Sequence, residues 1–281
     1  MNKFGGDWTE HKIEIAVEFA RAYLKIMKPR PFWQLLYFDG FAGTGDICTK
    51  SSEPTSAIAG AARRILSINN PRSFDIYYFV EKDQKKAIKL SGLIKSEFPD
   101  KHAYVVPEDC NKKLRDLATF LKSPKGKNVK VLAFIDPCGM QVKWDSIQCL
   151  KGLSVDMWIL VPLGMGVNRL LTKDGEIDQR WLLKLQDFLG MLDHEIMEAF
   201  YEEHPILPLY GRDSEKSKKG KAIQIAGKLY RDRLQTVFKH VSEPFLMTNA
   251  KNSLMYHFLL GSNNQTAVKI ANDVVKKWSE S

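Results

Sequence analysis

The sequence predicts an α/β fold: a mostly parallel sheet covered by helices on both faces, a helical insertion after the fifth strand, and a late antiparallel hairpin. Three observations predict it. Short apolar runs with strand character alternate five times with segments of helical spacing, the pattern of crossovers between parallel strands. Four of the five strand ends carry acids or glycines, where open α/β sheets hold their ligands. Two further apolar runs near the carboxyl terminus are separated only by Ala250-Lys251-Asn252-Ser253, a hairpin-length connection.

Taken in order, the first helix is expected to start near Thr9, which could cap it, and to run to about Met27. Ile13, Ala16, Val17, Ala20, Tyr23, Leu24 and Met27 follow helical spacing, and Pro29 and Pro31 end the helix. Gln34 to Asp39 reads as a buried strand, followed at once by a glycine-rich turn. Helical texture returns from about Thr55 to Ile68, then a strand at Phe74 to Val80. A helix is expected over Gln84 to Glu97, a strand at Ala103 to Val106, a helix over Asn111 to Leu121 and a strand at Val129 to Ile135. A helix near Trp144 to Leu150 leads to the strand Met157 to Val161. From Gly164 to about Phe200 the pattern is helical. Ile206 to Gly220 reads as turn-rich and charged, and Lys221 to His240 as a long basic helix. Strands at Phe245 to Asn249 and Leu254 to Leu260 precede a closing helix from Gln265 to Trp278. The expected organisation is a core over residues 1–163, a helical basic insertion over 164–243, and a return to the core over 244–281.

With 281 residues, 44% of them hydrophobic, a full-sized core can be buried. No apolar stretch approaches the roughly 18–20 residues needed to span a bilayer. Met1 to Trp8 has no apolar core that would suit a secretion signal. Cys48, Cys110, Cys138 and Cys149 form no Cys-x-x-Cys pair, and His194 and His204 show no metal spacing, so neither a disulfide framework nor a metal site is expected. A reducing cytoplasm is the simplest setting. The net charge of +9 favours an anionic partner.

The strand ends carry the chemistry. Asp39-Gly40-Phe41-Ala42-Gly43-Thr44-Gly45 follows the first strand. Its glycines allow positive φ and close approach of backbone to a ligand, and its free amides can hold an anionic group. The polar loop from Asp46 to Pro54 could cover that ligand. Glu81 follows Tyr77-Tyr78-Phe79-Val80, where an acid can accept hydrogen bonds from both ribose hydroxyls. Asp109 is placed either to meet an adenine amino group or to cap the next helix, and the two are compatible. Asp136-Pro137-Cys138-Gly139 ends a central strand. The carboxylate and the Pro137 carbonyl could orient an amino group for attack.

Together these segments resemble the S-adenosylmethionine motif of Rossmann-like class I methyltransferases that act on DNA and RNA. With Trp8, Phe79 to Glu81, Asp109 to Asn111, Ile135-Asp136-Pro137-Cys138-Gly139 and the late Tyr256-His257-Phe258-Leu259-Leu260-Gly261-Ser262-Asn263 strand, the chain resembles the three-Cys-motif partner family. The resemblance implies a methyltransferase-like fold and S-adenosylmethionine as cofactor. Asp39, Phe41, Ala42, Gly43, Gly45, Glu81 and Asp109 would bind it, and Asp136 and Pro137 would do the chemistry. One departure matters: Cys138 and Gly139 replace the second proline and the aromatic residue on which a flipped base stacks in amino-methyltransferases. Trp144 or a residue of the insertion would have to supply that platform. Cys138 is expected to be a small buried strand-end residue rather than a nucleophile.

Between Arg212 and Lys239 nine basic residues face three acids, a local charge of +6. Lys216, Lys218, Lys219, Lys221, Arg231 and Arg233 are candidates for phosphate contacts, with Tyr210 and Tyr230 for stacking. The alternative is a solvated helix with a basic loop. Three functions fit: a methyltransferase for nucleic acid, one for a protein or small molecule, or a non-catalytic module serving a partner protein.

Overall fold

The computed structural model describes residues 7–44, 46–47, 58–205 and 214–280. The chain is an α/β protein built on an eight-stranded sheet of order β10-β12-β7-β6-β1-β4-β5, with β11 also paired to β12. The parallel strands are β1 (Gln34–Asp39), β4 (Ile76–Val80), β5 (Ala103–Val106), β6 (Val129–Ile135) and β7 (Val155–Pro162). β12 (Leu254–Ser262) runs antiparallel to β7 and pairs on its other edge with β10 (His240–Val241) and β11 (Phe245–Thr248). The strand order reverses between β1 and β6, which opens the crevice for a ligand at their carboxyl ends.

Period-two burial splits the sheet residues between two cores. Leu35, Tyr37, Tyr77, Phe79, Leu132, Phe134, Trp158 and Phe258 face α1 (Asp7–Met27), α2 (Ala61–Leu66), α3 (Gln84–Glu97) and α10 (Gln265–Ser279). Leu36, Phe38, Val131, Ala133, Ile135, Met157 and Ile159 face α4 (Cys110–Lys122), α5 (Trp144–Gln148), α7 (Gln179–Leu189), α8 (Asp193–Phe200) and α9 (Ala222–Val237). Strands covered on both faces are mostly apolar, and β6 and β7 are so except for Lys130 and Asp156 near their amino ends. The expected insertion shares this second core, since Phe188, Phe200, Tyr230 and Leu234 lie in one cluster with β6 and β7.

Several expectations shift. α1 begins by Asp7, so Thr9 lies within the helix rather than capping it. The expected helix from Thr55 shortens to α2, because Ile58–Ala59 forms β3 against β2 (Asp46–Ile47). After β7 comes a π-helical turn, Leu163–Val167, and the brief α6 (Asn168–Leu170). The segment expected to be turn-rich and charged contains β9 (Ser214–Lys218), paired antiparallel with β8 (Tyr201–Pro205). Alternating charge on a two-stranded ribbon leaves no apolar period to read. Of the residues named from sequence, Gly45, Tyr210, Arg212, Asp213 and the loop from Cys48 to Pro54 lie outside the described residues, as does Thr55.

Candidate functional site

The site is assembled at the carboxyl ends of β1, β4, β5 and β6. β1 delivers Asp39, which is 1% exposed and accepts a 3.0 Å hydrogen bond from the Phe41 amide at Oδ1. That bond folds the chain back over the strand end. Gly40 is required there, since a Cβ would stand 2.7 Å from Cys110 Sγ and 2.8 Å from Ile135 Cδ1. Burial, with repulsion from the Asp136 and Glu81 charges, raises the Asp39 carboxyl to about 7; the Phe41 amide and Lys12 oppose that rise.

Gly43 has φ +62°, and its N–H donates to Glu81 Oε2 at 2.9 Å. Glu81 Oε1 accepts the Asp83 N–H at 2.8 Å, and the Glu81 amide is tied to the Val106 carbonyl at 3.1 Å. The carboxylate is thus fixed at both oxygens, and each keeps a lone pair for an incoming hydroxyl. Among the described residues, a Cβ on Gly43 would meet no atom within 4 Å. Asp109 caps α4 by accepting the Asn111 N–H at 2.9 Å and stands 3.4 Å from Lys82 Nζ. Burial alone would raise its carboxyl, but the Asn111 side chain and amide, with Lys82, hold it below its ordinary value.

β6 delivers Asp136. Its Oδ2 lies 2.5 Å from Nζ of Lys12, on α1, with side-chain exposures of 23% and 6%. The loop beyond is held from two sides. Cys138 N–H donates to Gln141 Oε1 at 2.9 Å, and Asn111 both donates to the Gln141 carbonyl at 2.9 Å and accepts the Lys143 N–H at 2.7 Å. Pro137 is buried while Cys138 is exposed, correcting the expected buried cysteine: the proline takes the core position and the loop turns the thiol outward. Tyr256, from β12, borders this end. Burial raises its phenol, and the charges of Asp136 and Cys138 raise it further.

Trp144 is not a stacking platform. It is 3% exposed, with the Arg233 guanidinium 4.7 Å above its ring and Tyr230 edge-on at 5.9 Å. Tyr230 is itself buried at 1% exposure, so it is no stacking surface either. The expected stripe of free cations also contracts. Lys218 donates to the Asn168 and Leu171 carbonyls, each at 3.0 Å, and Lys219 to the Glu198 carbonyl at 2.6 Å. Arg231 grips Glu243 through both terminal nitrogens, and Arg233 donates to the Gly190 carbonyl at 2.8 Å. Lys216 is exposed beside Glu203 at 3.4 Å, and Lys221 is exposed at the start of α9. His194 and His204 are exposed.

The structure therefore brings together Asp39, Phe41, Ala42, Gly43, Glu81 and Asp136, with Asp109 at the next strand end. Sequence reasoning missed Lys12. Its signal was a cation one turn before Ala16 on the buried stripe of an amphipathic helix. Among the described residues no group of His, Cys, Asp and Glu is arranged to hold a metal ion, and no helix is long and apolar enough to cross a membrane.

No family model and no curated protein matches the sequence. Protein LPL1258 from Legionella pneumophila, of family-model DUF519, superimposes with TM-score 0.54 at 14% identity, covering 98% of this chain and 93% of that one. At that identity the likeness speaks for the fold alone. Trm1 from Pyrococcus horikoshii, solved with S-adenosyl-L-methionine, gives TM-score 0.48 at 8% identity over 96% of this chain and 58% of its own. A S-adenosylmethionine-dependent methyltransferase from Clostridium acetobutylicum gives 0.36 at 8% identity, over 88% and 92%. Scores this low carry no argument.

Proposed function

We propose that this chain is an S-adenosylmethionine-dependent methyltransferase whose acceptor is a nucleic-acid base. The observation that carries the reading is the bond from Gly43 N–H to Glu81 Oε2, which joins two strand ends at a turn whose Cβ position meets no described atom. Asp39 is close enough to feel the charges of both Glu81 and Asp136. The residues fit the cofactor. The turn at Phe41, Ala42 and Gly43 offers backbone with no described atom within 4 Å of the Gly43 Cβ position, and Gly45 extends it in the sequence. Glu81 would accept hydrogen bonds from the ribose hydroxyls, Asp109 from the adenine amino group, and Asp39 would present negative charge to the ligand's ammonium. Bound S-adenosylmethionine supplies a methyl group on a sulfonium, electrophilic toward a nitrogen lone pair. Asp136 and the Pro137 carbonyl would accept hydrogen bonds from the acceptor's N–H and so orient its lone pair for attack.

The net charge of +9 supports an anionic acceptor, with Lys216 and Lys221 as the exposed cations nearest to the expected role. A second reading, methyl transfer to a protein or small-molecule amine, is favoured by the internal engagement of Lys218, Lys219, Arg231 and Arg233 and by the burial of Trp144. Labelled methyl transfer into total DNA, RNA and protein of the native host separates the two. A nuclease-sensitive product is expected; a product sensitive only to protease removes nucleic acid, and no product in any pool removes the methyltransferase.

A further inference from the structure

α1 turns one cation inward. Lys12 precedes Ala16 and Phe19 on the stripe that faces the sheet, is 5% exposed, and reaches across 124 residues of sequence to Asp136. Burying an ammonium is costly unless a counter-charge and hydrogen bonds meet it, so the contact is a built one. The pair is asymmetric: the Lys12 side chain is 6% exposed and that of Asp136 is 23%. Solvent, and hence an acceptor, reaches the pair from the carboxylate side, while the ammonium approaches from within the fold. Asp136 Oδ1 takes no hydrogen bond among the described residues. The neighbouring acids, Asp39 and Glu81, add negative charge that Lys12 offsets.

We propose that Lys12 is a positioning residue of the site: it anchors the Asp136 side chain through Oδ2 and leaves Oδ1 to accept a hydrogen bond from the acceptor's N–H. The inference rests on the methyl-transfer reading above. It accounts for a lysine on a buried helical stripe, and it makes α1 part of the site rather than a cover for the sheet. A latch, in which Lys12 fills the acceptor's own place, would require the ammonium on the solvent side.

The test compares full-chain wild type, Lys12→Met, Asp136→Asn and the double variant. Three quantities are measured: the thermal midpoint, S-adenosylhomocysteine affinity by calorimetry, and turnover as S-adenosylhomocysteine released from S-adenosylmethionine with whole host extract as acceptor. Both single variants and the double variant are expected to lose turnover by a common factor of about 100, because the two side chains act as one unit. S-adenosylhomocysteine affinity stays within roughly threefold of wild type. The double variant regains the midpoint that Lys12→Met loses, since no buried charge is left unpaired, yet it stays inactive. Turnover restored with the midpoint would make the pair merely structural. Undiminished turnover in Lys12→Met would overturn the proposal, and increased turnover would establish the latch. Should Lys12→Met fail to fold, Lys12→Gln takes its place: lowered turnover at unchanged S-adenosylhomocysteine affinity supports the positioning role, and undiminished turnover overturns it. A wild type that binds no S-adenosylhomocysteine, or binds it without turnover, overturns the methyl-transfer reading and the inference with it.

Discussion

Replacing Asp39 by Asn isolates an electrostatic cost located at the centre of the site. The Asp39 carboxyl is fully buried and ionises at about 7 in the folded chain, against an ordinary value of 3.8. Folding therefore takes up a proton between those pH values, and stability declines as pH rises through the interval. Each pH unit in that range costs about 1.4 kcal/mol, and the interval spans about three, so the ionised group costs on the order of 4 kcal/mol above pH 7. Asparagine keeps an oxygen for the Phe41 amide without the charge. Urea unfolding of both proteins from pH 4.5 to 8.5 should give nearly equal stabilities at the acid end. Asp39→Asn should then gain steadily until the curves run parallel above about pH 7.5. A difference that does not change with pH would refute the reasoning, because it would mean that Asp39 carries no displaced titration. On the proposed reading, the ammonium of a bound cofactor beside Asp39 would offset that cost.

Gly190 has φ +65°, and an added Cβ would fall 2.1 Å from Trp144 Cδ1. Gly190→Ala should therefore lower unfolding stability by roughly 2–5 kcal/mol through backbone strain and overpacking; an unchanged urea midpoint would show that Trp144 packs elsewhere. Glu81→Ala should weaken S-adenosylhomocysteine binding by about 1–3 kcal/mol, while Asp136→Ala suppresses turnover and largely spares that affinity; the reverse pattern in calorimetry and turnover would exchange their roles. Neutralising Lys216 and Lys221 together should lower the log–log salt slope of nucleic-acid binding by roughly 1.4–1.8. Anisotropy titrations at several salt concentrations check this, and an unchanged slope removes the nucleic-acid acceptor.

Much of the sheet could be read from the chain because strands covered on both faces are nearly continuous apolar runs. β5, β6 and α3 fall at the residues their patterns indicate. The strand-end acids were legible for a related reason: an acid directly after such a run has no packing role. What escaped reading depended on contacts distant in sequence. Lys12 looks like any helix-surface lysine until Asp136 is brought beside it. The basic segment showed its charge but not its partners. Lys218 and Lys219 satisfy carbonyls around α6 and α8, and Arg233 lies on Trp144, arrangements that charge counting cannot reveal. Cys138 was misplaced because the turn after Pro137 is set by Gln141, through a hydrogen bond that has no sequence period.

The central claim, that the turn after β1 holds S-adenosylmethionine, is tested most directly by calorimetric titration of S-adenosylhomocysteine into wild type and Gly43→Val. Gly43 lies at φ +62° with its N–H on Glu81 and no described atom within 4 Å of its Cβ position, so a branched side chain would both strain the turn and enter the space that the proposed ligand would fill. Binding by the wild type and none by a folded Gly43→Val is the predicted result. Equal affinity in the two folded proteins would contradict the account.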